Sequence, residues 1–294
     1  MSCHVSILIL DSERLYVPPV AQGEPMRARG IAKVIESKAS SFSKGSLVAA
    51  TVNWVDYNVL DAAECQPLQK LGALSETHFL GALGVTGLTA YYGLQVVNTK
   101  AEDTVVVSGA AGATGSMVVQ IAKHMLGCKK VIGIAGSDEK CRWVESLGAD
   151  ICVNYKTQSF KDDLKKATDG FVEVYFDNVG GEILDFMLGR MKRFGRIAAC
   201  GAISNYNNHT DPTAIKSWFE IITNRLEIKG FIVLDAMDKF PEMTQALIQA
   251  YKDGKLKISE ENETIVETDF EGIPKAWMKL FSGANTGKLI TKIA

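Results

Sequence analysis

Short apolar runs alternate with segments of helical periodicity between about residues 103 and 234. The runs with the length and β-branched character of buried strands are residues 105–107, 130–135, 151–154, 172–177, 195–200 and 228–234. Apolar side chains recur at helical spacing in residues 114–126, 137–147, 160–167, 183–191 and 215–224. The alternation predicts six parallel strands joined by helical crossovers, because β-α-β units place helices on the faces of one sheet. The predicted fold class is α/β, a doubly wound parallel sheet of the Rossmann type.

The two ends of the chain follow another pattern. The first 85 residues contain Pro18, Pro19 and Pro25, a Lys-Gly turn and short apolar runs, which are typical of a small β-rich region. The tail after about residue 259 repeats this pattern. We predict a partial β-rich substrate domain in residues 1–85, a dinucleotide-binding domain in residues 86–260, and a return to the substrate domain in residues 261–294.

Composition and charge narrow the class of protein. The 294 residues are 47% hydrophobic and 22% charged, which excludes a disordered or collagen-like chain. The net charge of −2 gives no indication of a nucleic-acid partner. The six cysteines form no C-x-x-C pair, so we expect reduced thiols, no metal site and a cytoplasmic location. No segment has the length of a membrane span, and we expect no membrane association.

A glycine-rich turn separates the first predicted strand from the first predicted helix. It comprises Gly109, Ala110, Ala111, Gly112, Ala113, Thr114 and Gly115. Small residues let backbone amides approach a pyrophosphate, and the N-terminus of the following helix would face the phosphates. Ala110 replaces the first glycine of G-x-G-x-x-G, and such a turn can also serve only close packing. The β-α units that follow favour nucleotide binding.

The end of the second predicted strand favours NADP over NAD. It reads Gly136-Ser137, whereas an NAD-specific site usually places a carboxylate there for the ribose 2′-hydroxyl. Small residues leave room for a 2′-phosphate, and Lys140 supplies a cation one turn into the next helix. Asp138 and Glu139 could still reach a ribose, and Lys140 could equally be a solvated charge.

Further candidates follow the fourth and fifth predicted strands. Asn178 follows the fourth strand, and Cys200 with Gly201 closes the fifth, where ligands of parallel sheets bind. An Asx-Gly turn that caps the next helix would explain Asn178 equally well. In the next loop, Tyr206 could donate a proton or orient a carbonyl oxygen, although packing is the commoner role for a single loop tyrosine.

Eight short motifs distributed over the chain match one protein family. They are residues 87–91 (GLTAY), 110–115 (AAGATG), 135–140 (AGSDEK), 154–156 (NYK), 175–181 (YFDNVGG), 194–197 (FGRI), 200–204 (CGAIS) and 285–288 (NTGK). Together they resemble the zinc-independent medium-chain reductases, and within them the prostaglandin reductase and alkenal double-bond reductase branch. The resemblance covers about residues 16–294. It implies a Rossmann domain inserted in a partial GroES-like β-rich domain.

The resemblance also implies an activity and a site. The activity is NADPH-dependent reduction of a C=C bond conjugated to a carbonyl in a small enone or alkenal, with hydride delivered to the β-carbon. Tyr206 would lie beside the enone oxygen as the catalytic residue, and a homodimer is the expected assembly. Cofactor-binding residues would be Ala111, Gly112, Ala113, Thr114 and Gly115 at the pyrophosphate, Gly136, Ser137, Lys140 and Tyr155 around the 2′-phosphate, and Asn178, Cys200, Phe231, Ile232, Val233 and Asn285 at the nicotinamide half.

The N-terminus departs from the family pattern. Residues 1–15 do not resemble the longer N-terminal segment of family members, and Val85-Thr86 replaces the Met-Pro that usually precedes Gly87. We therefore expect a shortened chain that binds NADPH better than it reduces enones. Two alternatives remain open: an NADPH quinone reductase, which shares the fold and cofactor, and a weakly active NADPH-binding protein.

Overall fold

The chain folds into two compact units. The computed structural model describes residues 16–68, 70–72, 74–206 and 214–293. One unit, the terminal unit, comprises Met1–Gly84 and Ser259–Ala294, and the other, the central unit, comprises Val85–Ile258.

The helices and strands of the described residues have the following bounds. The strands are β1 (Arg27–Lys33), β2 (Leu47–Asn53), β3 (Gln66–Pro67), β4 (Thr104–Val107), β5 (Lys130–Ala135), β6 (Ile151–Asn154), β7 (Val172–Asp177), β8 (Met191–Ala199), β9 (Glu227–Gly230), β10 (Glu263–Thr268) and β11 (Lys288–Ile293). The α-helices are α1 (Val85–Val96), α2 (Ala113–Gln120), α3 (Asp138–Ser146), α4 (Phe160–Ala167), α5 (Gly181–Leu188), α6 (Trp218–Asn224), α7 (Phe240–Lys252) and α8 (Ile273–Ser282).

The central unit is built on a parallel sheet of six strands. Their spatial order is β6-β5-β4-β7-β8-β9, and every neighbouring pair is parallel. The chain starts in the middle at β4, moves outward to β6, and returns to β7 on the other side of β4. The carboxyl ends of β4 and β7 therefore flank the crevice where doubly wound sheets bind their ligands. The predicted α/β fold class is confirmed.

The central strands of this sheet are apolar on both faces because helices cover both faces. Val105, Val106 and Val107 of β4 are completely buried. Tyr175 and Ile197 extend the same core across β7 and β8, where Leu164 and Met187 of the flanking helices pack against them. Continuous burial of this kind fixes the sheet and holds its carboxyl edge in place.

The terminal unit contains two small sheets. Strands β1, β2 and β3 form an antiparallel sheet, with Gly30 opposite Ala50. Strands β10 and β11 form a parallel pair, and α8 connects them in sequence. The indole rings of Trp54 and Trp277 pack edge to face, with centroids 6.4 Å apart.

The observed elements differ from the predicted ones at several boundaries. The helix predicted for 114–126 is α-helical only to Gln120 and continues as a π-helical turn at Ile121–Met125. The helix predicted for 215–224 starts at Trp218, because the amides of Lys216 and Ser217 donate to the side chain of Asp185 instead.

At two further places the predicted kind of secondary structure was wrong. Met191, assigned to a helix over 183–191, begins β8, since α5 ends before Gly189. The strand predicted for 228–234 is short: β9 ends at Gly230, and Val233–Lys239 forms a 3₁₀ helix. Helices α1 and α7 were not predicted at all.

Candidate functional site

The glycine-rich turn connects β4 to α2 and exposes backbone at the crevice. Gly109 has a φ of +59°, a left-handed conformation that favours glycine. Gly112 is the N-cap of α2 and supplies no side-chain cap to the helix. Gly112, Ala113 and Thr114 are partly exposed. The first amides of a helix lack intrahelical acceptors, so this terminus is suited to an anion.

Gly115 has a different role from Gly112. A Cβ on Gly115 would lie 2.2 Å from the carbonyl oxygen of Gly109 and 2.8 Å from the Cα of Ala110. A Cβ on Gly112 would lie 3.2 Å from the same oxygen and meet nothing else within 4 Å. The sequence left open whether the turn serves close packing or the approach of a ligand. Gly115 is required by packing, and Gly112 leaves space for a ligand.

A buried carboxylate organises the backbone beneath the turn. Asp177 ends β7 and is 2% exposed. Its Oδ1 accepts hydrogen bonds from the hydroxyls of Ser108 (3.0 Å) and Tyr175 (2.8 Å). The amides of Val179 and Gly180 donate to the same oxygen, each at 3.0 Å. Burial and the nearby Asp177 raise the pKa of Tyr175 well above its usual value, so its hydroxyl stays protonated as a donor.

Asn178 is held by Ser108 and not by a helix. Its Nδ2 donates to the Ser108 carbonyl (2.7 Å), and its amide donates to Ser108 Oγ (2.9 Å). Helix α5 has Gly180 as its N-cap, without a side-chain capping bond. The Asn178 side chain therefore does not cap α5, and the turn before that helix is formed by Asp177, which accepts from the Val179 and Gly180 amides. The Asn178 side chain is fixed at the carboxyl edges of β4 and β7.

Tyr206 lies at the same edge as Asn178. The amides of Cys200 and Gly201 donate to the Asp177 carbonyl at 2.9 and 3.1 Å, which places the end of β8 beside β7. The Tyr206 hydroxyl accepts a hydrogen bond from the Ala202 amide at 3.3 Å. A Cβ on Gly201 would lie 3.1 Å from the Asn178 carbonyl oxygen and 3.3 Å from the Tyr206 hydroxyl, so the absence of a side chain there lets the two approach.

The Cys200 thiol is not suited to ionise. It is half-buried, and burial together with the negative charge of Asp177 raises its pKa to about 12. A thiol of this kind contributes shape to the crevice and no nucleophile.

The predicted 2′-phosphate residues converge at the end of β5. The Tyr155 ring covers Gly136, since a Cβ there would lie 3.0 Å from the ring. The Tyr155 amide donates to the Ala135 carbonyl at 3.0 Å. Ser137 is the N-cap of α3, and its hydroxyl oxygen accepts from the Lys140 amide at 3.2 Å. Gly136, Ser137, the backbone of Lys140 and Tyr155 thus lie together at the end of β5.

Charged groups of both signs act on Lys140. Burial and the charge of Lys156 lower its pKa, and the carboxylate of Glu139 opposes this shift. Lys156 also lies 6.0 Å from the centroid of the Tyr155 ring. Asp138, which could have served a ribose, instead accepts a hydrogen bond from Asn154 Nδ2 at 2.7 Å. Two neighbouring ammonium groups with mutual repulsion are an arrangement that a phosphate would relieve.

The remaining predicted cofactor residues show two kinds of placement. The Phe231 ring packs edge to face against Tyr92 and Phe176, with centroids 5.9 and 6.0 Å away. Val233 is buried and Ile232 is half-buried. The side chains of Phe231 and Val233 therefore pack in the core, and a ligand could contact these residues only through their backbone atoms. Asn285 belongs to the terminal unit, where its Nδ2 donates to the Gly287 carbonyl at 2.9 Å.

The sequence analysis missed three residues of this region. Ser108 and Asp177 are hydrogen-bonded to each other beneath the turn. The one sequence feature that could have identified Ser108 is its position as a polar residue directly after a buried strand. Lys156 was part of a motif but received no role. In the described part of the chain, no group of three or more His, Cys, Asp or Glu side chains could hold a metal ion. In the same residues, no helix is long and apolar enough to cross a membrane.

Comparison with known proteins places the chain among oxidoreductases. Residues 113–249 match the family described as zinc-binding dehydrogenase, and residues 8–68 match the N-terminal domain of oxidoreductases. The second match starts at residue 8, earlier than residue 16, where the sequence motifs placed the start of the resemblance.

Individual relatives cover nearly the whole chain. Prostaglandin reductase 1 of Sus scrofa is 38% identical over 284 residues, 95% of this chain and 84% of the relative. The NADP-dependent 2-alkenal reductase of Nicotiana tabacum is 38% identical over 290 residues, 96% of this chain and 81% of the relative.

A solved structure agrees with these relatives. CurA from Vibrio vulnificus in complex with NADPH is 32% identical, with a TM-score of 0.87 over 96% of this chain and 84% of that chain. The resemblance predicted from the motifs is confirmed. The chain therefore belongs to the medium-chain dehydrogenase/reductase family, in the branch of prostaglandin reductase 1 and the NADP-dependent 2-alkenal reductases.

Proposed function

We propose that this protein is an NADPH-dependent reductase of the C=C bond conjugated to a carbonyl in alkenals and enones. The observation that carries the proposal is the near full-length similarity to a prostaglandin reductase and to an NADP-dependent 2-alkenal reductase. The predicted cofactor agrees with the NADPH bound in the CurA structure. The proposed substrate is a small molecule with a conjugated carbonyl.

The chain's own residues fit NADPH. The partly exposed N-terminus of α2 would receive the pyrophosphate through the amides of residues 112–114. Lys140 and Tyr155 would hold the 2′-phosphate above Gly136, with Lys156 as a second cation. Burial and the charge of Lys156 lower the pKa of Lys140. A dianionic ligand would stabilise the charged form of this ammonium, which favours NADPH over NADH.

Asn178 and Tyr206 would act on the reacting end. When bound, NADPH supplies the hydride that adds to the β-carbon of the substrate. The Tyr206 hydroxyl accepts from the Ala202 amide, and a phenol can also donate its own proton. We assign the Tyr206 hydroxyl as the donor to the substrate carbonyl oxygen, where the hydrogen bond stabilises the negative charge of the enolate. Asn178, fixed by Ser108, lines the crevice beside it.

A panel of electron acceptors tests this function. Purified protein is mixed with NADPH and 2-alkenals, enones or quinones, and NADPH oxidation is followed by absorbance. We expect turnover with the alkenals and enones. Turnover with quinones alone would replace the proposal by a quinone reductase, and tight NADPH binding without any turnover would indicate a weakly active binding protein.

The Tyr206→Phe variant tests the assignment of the catalytic residue. Loss of the proton donor should lower kcat about a hundredfold, the lower end of the usual contribution of general acids. The dissociation constant for NADPH should stay unchanged, since the phenol acts on the substrate. Undiminished kcat would remove Tyr206 from the mechanism.

We propose a homodimer through the outer edge of the sheet at β9. Among the residues that the structure describes, β9 pairs only with β8, and it is exposed along its length. On the neighbouring helix α6, Trp218, Phe219 and Ile222 are each at least 60% exposed. An apolar patch beside an open edge strand is typical of an interface. Sedimentation should give a dimer for the native protein and a monomer for Phe219→Glu, and a native monomer would contradict the proposal.

A further inference from the structure

Two cysteine thiols contact each other between a helix and an edge strand of the central unit. Cys141 lies on α3 and is 7% exposed, and Cys152 lies on β6 and is half-buried. Their side chains are hydrogen-bonded to each other. Neither residue has a role in the proposed reductase reaction.

The contact follows from the packing of α3 on the sheet. Cys152 stands opposite Gly133 of β5 in the parallel register. A Cβ on Gly133 would lie 3.0 Å from the Cys152 sulfur and 2.7 Å from Val144 Cγ1. Val144 and Cys141 are three residues apart, so they share the buried face of α3. Glycine at position 133 therefore makes room for the Cys152 sulfur under the helix.

Hydrogen bonds on both sides of the thiols hold α3 against β6. Toward the start of the helix, Asn154 Nδ2 donates to Asp138 Oδ1 at 2.7 Å. Toward its end, the Cys152 amide donates to Glu145 Oε1 at 2.9 Å. The distance between helix and strand is thus set independently of the sulfurs, and a covalent bond there requires only a local adjustment.

A surface groove of about 420 Å³ lies next to the thiol pair. Cys152 is one of the residues that line it, together with Asp138, Asn154 and Thr157. A small oxidant that enters this groove reaches the strand that carries Cys152, beside the two thiols.

We propose that Cys141 and Cys152 form a reversible intramolecular disulfide when the protein is exposed to a peroxide. The Cys141 sulfur attacks one peroxide oxygen, which breaks the O–O bond and leaves a sulfenic acid and one water. The Cys152 sulfur then attacks the sulfenic sulfur, forms the S–S bond and releases a second water. In total, the two thiols lose two electrons and two protons, and hydrogen peroxide is reduced to two waters.

The charge environment determines how the reaction depends on pH. Burial raises the pKa of both thiols, and the hydrogen bond from Cys152 partly offsets this for Cys141. Cys141 is accordingly the better thiolate of the two and suits the first step, the attack on the peroxide. Because the thiolate is the nucleophile, disulfide formation should become faster as pH rises from 7 to 9.

Peptide mapping of the native protein tests the proposal. The protein is treated with hydrogen peroxide at pH 8, alkylated, and digested with a protease that cleaves after glutamate, which separates the two cysteines at Glu145. We expect a linked pair of peptides, 140–145 and 146–173, two hydrogens lighter than the separate peptides, and dithiothreitol should abolish it.

Three variants serve as matched controls, and none is needed for the main result. Cys141→Ser and Cys152→Ser should each lose the linked pair, while Cys128→Ser, which removes another buried thiol, should keep it. Folding of each variant is checked by circular dichroism. Oxidation of the native protein without this linked pair, whether at other cysteines or to sulfonic acid at Cys152 alone, would overturn the proposal.

Discussion

Replacing Gly115 by alanine tests whether the glycine-rich turn is shaped by packing. The added Cβ would lie 2.2 Å from the Gly109 carbonyl oxygen and 2.8 Å from the Ala110 Cα. Both are backbone atoms, which cannot move away by changing a side-chain rotamer. The free energy of unfolding should therefore fall by about 3 kcal/mol, the upper end of the range for overpacking. Alanine returns about 1 kcal/mol of helix propensity, which leaves a net destabilisation of about 2 kcal/mol. For a unit of this size, the midpoint of thermal unfolding should fall by about 4–8 °C.

Gly112→Ala is the matched control, because it adds the same methyl group to the same turn. Its Cβ would lie 3.2 Å from the Gly109 carbonyl oxygen and meet no other atom within 4 Å. Its φ of −82° is also ordinary for alanine. We expect its stability to change by less than about 0.5 kcal/mol. In our assignment the methyl group would stand where the pyrophosphate approaches, so NADPH binding should weaken about tenfold, or about 1.4 kcal/mol.

Thermal unfolding and calorimetric titration with NADPH measure both effects on both variants. The reasoning predicts that Gly115→Ala unfolds earlier, whereas Gly112→Ala unfolds normally and binds NADPH weakly. Equal unfolding midpoints for the native protein and Gly115→Ala would refute the packing argument. Native affinity of Gly112→Ala for NADPH would refute the placement of the pyrophosphate.

The charged space at the end of β5 gives two further predictions. Lys140→Met should raise the dissociation constant for NADPH about tenfold to a hundredfold, which corresponds to the loss of one charge-assisted hydrogen bond. The dissociation constant for NADH should stay unchanged. An equal loss of affinity for both cofactors would contradict the assignment. Burial and Lys156 lower the pKa of Lys140, so its ammonium loses the proton at a lower pH than an ordinary lysine. NADPH affinity should therefore fall as pH rises through the lowered pKa of Lys140. The variant Lys156→Met should move this loss of affinity to higher pH. Titrations with NADPH in buffers of increasing pH measure the loss in both proteins.

Most of the central fold was predictable because its sequence pattern is local. Strands β5, β6 and β7 and helix α4 have the predicted bounds, since each is a short apolar or amphipathic run with clear ends. Helix α1 escaped prediction because it is apolar around much of its surface and contains two glycines, so no periodic face stands out. One of them, Gly93, makes room for the Phe231 and Phe176 rings, a contact between distant parts of the sequence.

The same distinction applies to the candidate site. The turn and the end of β5 were identified because their small residues are adjacent in sequence. The pairing of Ser108 with Asp177 was not, because the two are 69 residues apart and meet only through the sheet. The placement of Phe231 could not be read from sequence either, since its ring fills a gap between α1 and β7.

Transfer of deuterium from labelled NADPH tests the central claim most directly. The protein is incubated with a 2-alkenal and NADPH deuterated at C4 of the nicotinamide, and the product is analysed by NMR and mass spectrometry. The account predicts a saturated aldehyde with one deuterium at the carbon β to the carbonyl. An unsaturated alcohol with deuterium at the former carbonyl carbon, or an alkenal recovered without deuterium, would contradict it.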